Sequence, residues 1–164
     1  MTEELTQGRL KELLHYCPDT GVFTRRVRTS NRVHVGDVAG NRHCAGYWEI
    51  CLGGKKHLAH RLAFLYMTGE WPKEHVDHIN SDRNDNRWAN LRVATNSENM
   101  QNVRVAREDN QSGLLGAHRN GRRYFPKIQV DGKMHRLGSF STAQEAHAAY
   151  MAAKKELHPF STIT

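Results

Sequence analysis

The sequence has 164 residues, with 24 Lys+Arg against 17 Asp+Glu for a formal net charge of +7, and 11 histidines besides. Hydrophobic residues at 38% leave room for one domain or two small ones with modest cores, and no apolar run approaches the ~20 residues of a membrane-crossing helix. These figures speak against a membrane-spanning helix and point to a polyanion as partner, because lysine and arginine neutralise phosphates and release their condensed counterions.

The N-terminus, Met1-Thr2-Glu3-Glu4, is acidic rather than basic-then-apolar, so a cytoplasmic protein without a signal sequence is expected. Leu10, Leu13, Leu14 and Cys17 recur at helical spacing, which predicts a helix over residues 5–17 closed by Pro18-Asp19-Thr20-Gly21. Val22-Phe23-Thr24 reads as a strand. Trp48, Ile50 and Leu52 alternate with Glu49 and Cys51 before Gly53-Gly54, which predicts a hairpin returning from Lys55 to Leu58. From His60 to Met67 the period turns helical, with Leu58, Leu62, Leu65 and Tyr66 on one side and Gly69 as the stop. The cysteines, Cys17, Cys44 and Cys51, are odd in number and lack C-x-x-C spacing, which speaks against a disulfide framework; Cys44, Cys51, His57 and His60 likewise match no usual zinc pattern.

Residues 75–102 hold seven asparagines (80, 84, 86, 90, 96, 99 and 102) and three aspartates (77, 82 and 85) around brief apolar runs. Asn and Asp serve turns and caps. Val76-Asp77-His78-Ile79-Asn80 reads as a strand ending in a polar loop, Asn90 to Thr95 as a second strand, and Thr95-x-x-Glu98 as a capping box that opens a helix carrying Asn99. The order is strand, loop, strand, helix. Residues 103–111 are charged and without period, which reads as a linker or a frayed helix end. A second module starts at Ser112. There Leu114–Arg119, Tyr124–Val130 and Lys133–Phe140 are predicted as three antiparallel strands, the last two joined by Asp131-Gly132, a type I′ turn signal. Thr142-x-x-Glu145 then caps a helix with Ala146, Ala149, Tyr150, Ala153 and Leu157 on one stripe, ended by Pro159.

Asp77-His78, then Asn90-Leu91-Arg92-Val93-Ala94-Thr95, then Asn99 to Asn102 closely resemble the D-H, N-L-R-x-A-T and N-x-x-N pattern of HNH endonucleases of the ββα-metal fold, in particular phage and intron-associated enzymes; His60-Arg61-Leu62-Ala63 adds to the likeness. The resemblance implies His78 as general base, with Asn90 bonded to its other ring nitrogen, and Asp77 and Asn99 as ligands of one Mg²⁺ or Mn²⁺ per active site. The residue chemistry is compatible. Two hard oxygen donors bring a single negative charge and leave a bound cation electrophilic, and an imidazole with an ordinary pKa of about 6.5 is largely neutral at pH 7. His60, Arg83, Arg87 and Arg92 are candidate contacts to the DNA strand.

Ser112 to about Pro159 resembles the ethylene-response-factor (APETALA-type) DNA-binding domain of plant transcription factors. The resemblance lies in Gly116-Ala117, Lys127-Ile128-Gln129-Val130, Leu137-Gly138-Ser139-Phe140 and Thr142 to Ala146 through Ala149-Tyr150. It implies a sheet that enters the major groove with a helix behind it. Strand alternation turns Ile128 and Val130 inward and Lys127 and Gln129 outward, and His118, Arg119, Arg122, Arg123 and Arg136 join them as candidate DNA contacts. Arg136 stands where the plant domains carry an aromatic residue, so the plant target sequence does not transfer.

The expected fold is α+β. Its expected parts are an N-terminal helix and basic sheet (1–58), an HNH core (59–105), a linker (106–111) and a DNA-binding module of three strands and a helix (112–164). The expected function is a metal-dependent DNA endonuclease of the free-standing homing or phage type. It would leave 5′-phosphate and 3′-hydroxyl ends on double-stranded DNA, as a monomer or homodimer. The alternative is a non-catalytic sequence-specific DNA-binding regulator.

Overall fold

In the computed structural model, which describes residues 5–162, the chain forms two compact units, Met1–Ala94 and Thr95–Thr164. The architecture is α+β with small antiparallel sheets. No helix among the described residues is long and apolar enough to cross a membrane.

The first helix, α1 (Gln7–Leu13), is capped by the Thr6 hydroxyl, which accepts from Arg9 N. It stops four residues short of the expected end. Leu14–Cys17 form strand β1 instead, pairing with β2 (Val22–Arg25) so that Tyr16 lies opposite Phe23. The reason is the turn at Pro18–Gly21, closed by Gly21 N donating to Cys17 O at 2.8 Å. Once the chain reverses there, ladder bonds to β2 replace helical ones, and strand alternation still buries Leu14 and Tyr16. A short strand that the sequence pattern does not announce, β3 (Asn41–Arg42), adds to the expected hairpin of β4 (Trp48–Leu52) and β5 (Lys55–Leu58). Helix α2 (Ala59–Thr68) follows without a break and ends at Gly69, as its spacing predicts.

The apolar core of this unit joins Leu10, Leu14, Tyr16, Phe23, Ile50 and Leu52 to Leu62, Phe64, Leu65 and Leu91 in one cluster. These side chains come from both sides of residue 58, each contributing roughly 1.5–3 kcal/mol when fully buried. The packing therefore does not divide at 58, where the sequence suggests a boundary. On this base sit β6 (His75–His78) and β7 (Leu91–Ala94), antiparallel, with Asp77 opposite Arg92 and His78 opposite Leu91. A 3₁₀ turn (Trp88–Asn90) leads into β7.

The second unit opens with α3 (Asn96–Gln101), whose capping box is complete: Glu98 N donates to the Thr95 hydroxyl, and Thr95 N donates to the Glu98 carboxylate at 2.7 Å. Residues 106–111, expected as a linker, include a turn at 108–109. Asn110 N donates to Arg107 O at 3.0 Å, and just beyond, Asn110 Nδ2 donates to Leu114 O and the Ser112 hydroxyl to Ala117 O.

The expected three-stranded sheet is broken into two hairpins, β8 (Arg119–Asn120) with β9 (Arg123–Tyr124) and β10 (Lys127–Val130) with β11 (Lys133–Arg136), and a bridge between Tyr124 and Phe140 adds to the first. Buried Pro126 interrupts the run between β9 and β10, since it has no N–H to donate to a ladder. Asp131 and Gly132 adopt the positive φ values (47° and 77°) of the type I′ turn that their sequence demands. Helix α4 (Ala143–Leu157) begins with the second complete capping box and packs on β10, with Ile128 and Ala146 both buried. Lys154 is also buried, donating to Val103 O, an inward cation that the apolar stripe did not announce.

Candidate active site

The β6–β7 pairing sets the site's chemistry. Asp77 and Arg92 are direct cross-strand partners, and both Nε (3.0 Å) and Nη2 (2.8 Å) of Arg92 donate to Asp77 Oδ2. With the carboxylate only 8% exposed, this charge-assisted contact fixes its orientation. Arg92, a candidate DNA contact, is here paired with Asp77.

His78, the next residue, is buried. Its Nε2 lies 3.2 Å from Asn86 Oδ1. The Asn86 amide is itself oriented, because its Nδ2 donates to Asn84 O at 3.1 Å. Asn86 therefore presents oxygen to the ring, Nε2 carries the hydrogen, and the lone pair of the neutral imidazole sits on Nδ1. Burial lowers the pKa of His78, against the opposing pull of the Asn86 hydrogen bond and nearby carboxylates, and keeps the ring neutral at pH 7.

Asn90, expected to bond to the other ring nitrogen of His78, bonds elsewhere in this structure. Its side chain makes no bond to His78. It accepts from Asn80 N at 3.0 Å and donates to Asn80 Oδ1 and to Asp85 O, while its carbonyl accepts from Ile79 N. Asn90 pins the two ends of the 79–90 loop, and Asn86 holds the histidine.

The density of Asn and Asp is explained by the same loop. Asn80 Oδ1 accepts from Asp82 N, Asp82 Oδ1 accepts from Asn84 N, and Asn80 Nδ2 donates to Asp85 Oδ2. These side chains substitute for a ladder that an irregular loop lacks.

His60, a candidate either to touch phosphate or to cap its helix, is a buried ring on α2, 4% exposed, standing edge-on to His78 with centroids 5.0 Å apart. Burial pulls its pKa down to about 3, so it is neutral and not a surface cation. Its Nδ1 has no hydrogen-bond partner among the described residues. Tyr47, which the sequence did not single out, packs against His60 at 5.2 Å and His78 at 6.1 Å. Arg83 lies over the Tyr47 ring and donates to Ala45 O, and Arg87 forms a two-pronged ion pair with Asp85 at 2.6 and 2.7 Å. Both arginines are exposed, with protein partners already in place.

Asn99 lies on α3 of the second unit and is partly exposed. In that unit His118, Arg119, Arg122, Arg123, Lys127, Gln129 and Arg136 are all exposed. The β10 alternation is as expected, with Ile128 buried between exposed Lys127 and Gln129. Arg123 is anchored by its guanidinium to the hydroxyl and carbonyl of Ser139. Among the described residues no three His, Cys, Asp or Glu side chains converge as a metal cluster.

Residues 57–101 match a family model described as HNH endonuclease, a stretch that includes His60, Asp77, His78, Asn86, Asn90 and Asn99. Among solved structures, the chain is similar to one concerning DNA binding and cleavage by the HNH homing endonuclease I-HmuI, at 19% identity and a TM-score of 0.43, covering 81% of this chain and 74% of that one. No curated protein sequence matches the chain.

Proposed function

We propose that the chain is a metal-dependent DNA endonuclease of the HNH, ββα-metal type. What carries the reading is His78: a buried neutral imidazole, held through Nε2 by Asn86, next to a carboxylate clamped by Arg92, inside the stretch that matches the HNH endonuclease model. A net charge of +7 suits a polyanionic substrate.

In this mechanism His78 Nδ1 accepts a proton from water as the water oxygen bonds to the phosphorus of a phosphodiester. The bond from phosphorus to the 3′ oxygen breaks, the departing oxygen takes up a proton, and the products are a 5′-phosphate and a 3′-hydroxyl. Asn86 keeps the proton-accepting nitrogen aimed and stabilises the imidazolium that forms, since its oxygen receives the Nε2 hydrogen. Asp77 and Asn99 are the oxygen donors we assign to one Mg²⁺ or Mn²⁺. The donor chemistry fits, with one carboxylate already oriented by Arg92 and one neutral amide. When bound, the cation supplies Lewis-acid stabilisation of the charge on the phosphate and the leaving oxygen. We assign the exposed basic residues of the second unit to double-stranded DNA, as a reader resembling the ethylene-response-factor domain.

The test is cleavage of supercoiled plasmid with Mg²⁺ or Mn²⁺ and with chelator. Metal-dependent relaxation or linearisation is expected, with an open circle first if each chain nicks one strand. Folded protein that binds DNA and cuts nothing under any metal would overturn the catalytic reading in favour of a DNA-binding regulator.

A second measurement addresses the reader. Replacing Arg122, Arg123, Lys127 and Arg136 together by glutamine is expected to weaken DNA binding and flatten its dependence on salt. Every phosphate that the variant no longer neutralises takes about 0.9 from the log–log slope. An unchanged slope would remove these residues from the interface.

A further inference from the structure

Asn86 holds His78, yet its own side chain sits in an irregular loop and its backbone belongs to no strand. Three contacts from the N-terminal hairpin converge on residues 86–88. The Tyr16 hydroxyl donates to Asn86 O at 2.7 Å, in a bond that is fully buried and spans 70 positions of sequence. Trp88 N donates to Pro18 O at 2.9 Å. The turn between β1 and β2 presses so close that a Cβ at Gly21 would stand 2.3 Å from Asn86 C and 2.4 Å from Arg87 N.

Tyr16 is in turn immobilised in the core, 1% exposed and ring-to-ring with Phe23 (4.7 Å) and Tyr66 (5.7 Å). An aromatic ring needs no hydroxyl for that packing, and a buried phenol costs free energy unless its hydrogen is used. The hydroxyl is used on the backbone of the residue whose side chain holds the histidine.

We propose that Tyr16 is a positioning residue of the active site, acting through Asn86 to fix the tautomer and aim of His78, so that the N-terminal hairpin is part of the catalytic apparatus. The chain of contacts is Tyr16 Oη to Asn86 O, then Asn86 Oδ1 to His78 Nε2. The consequence for turnover rests on the nuclease reading above. The consequence for the histidine does not.

The experiment therefore has two readouts. Nitrogen-15 NMR of the full chain reports the tautomer of His78 directly. Wild type is expected to show the Nε2–H form, and Tyr16→Phe a mixture of both tautomers. A wild-type ring protonated on Nδ1, or a tautomer unmoved by Tyr16→Phe, would overturn the proposal whether or not the protein cuts DNA. In the plasmid assay, Tyr16→Phe is expected to lower kcat by about tenfold with KM for DNA unchanged. Adding it to Asn86→Ala should lower kcat no further, because the side chain it positions is gone. Additive losses in the double variant, or a fall in thermal stability with kcat intact below the melting point, would reduce Tyr16 to a structural role.

Discussion

His78→Ala is expected to lower metal-dependent cleavage of supercoiled plasmid by about 10²–10⁴-fold, the range associated with removing a positioned general base, while DNA affinity changes little. The separation of the two effects follows from the site. His78 is buried and neutral, so its loss removes no cation from the DNA-facing surface. Its ring meets His60 edge-on and Tyr47 at 6.1 Å, and truncation leaves a cavity there. The variant should therefore melt lower by the usual cost of an emptied core site, about 2–4 kcal/mol, and is to be assayed below that melt. Binding measured by titration and cleavage measured on the same preparation decide the matter. Cleavage retained at the wild-type rate would exclude His78 as the base. Cleavage and affinity falling together would mean that the ring holds up the surface rather than the chemistry.

The sequence made these elements legible because their periods and caps are local. The Asn90–Thr95 strand and the two capping boxes are specified within a few residues, and they appear where they were expected. What it concealed were bonds between distant positions. Asn86 is one of seven asparagines in the window, and nothing in its spacing marks it as the partner of His78; only the folded loop brings Oδ1 to Nε2. Asn90, at the position the family pattern favours, spends its amide on Asn80 and Asp85. His60 and Arg92 were readable as basic residues near the site, but burial of the first and the cross-strand carboxylate of the second decide what they do. The same holds for the end of α1, where helical spacing through Cys17 gave way to a hairpin whose partner strand lies beyond the turn. In the second unit the alternation around Ile128 was legible, whereas the division into two hairpins depends on where Pro126 is buried.

Gly21→Ala should be among the most damaging single changes in the first unit that remove no side chain. Two costs add. Gly21 has φ of +73°, a left-handed conformation that costs an L-residue roughly 1–2 kcal/mol. The new methyl would also stand 2.3 Å from a backbone carbon of Asn86, and backbone, unlike a flexible side chain, yields only by moving the turn or the loop. Overpacking of that kind adds about 1–3 kcal/mol, so a loss of about 2–5 kcal/mol is expected. Gly53→Ala supplies the control. Gly53 has φ of +57° with nothing within 4 Å of its Cβ position, so it bears the conformational cost alone. Thermal unfolding of the two variants separates strain from collision. Cleavage measured well below both melts then asks where the strain goes. If the turn yields, Gly21→Ala is merely less stable; if the loop yields, Asn86 shifts from His78 and turnover falls while Gly53→Ala cuts normally. Because Trp88 N and the Tyr16 hydroxyl both tie residues 86–88 to this hairpin, turn and loop move together, and the fall in turnover is the expected result. Equal stability of the two variants would mean that the close approach at Asn86 does not exist in solution.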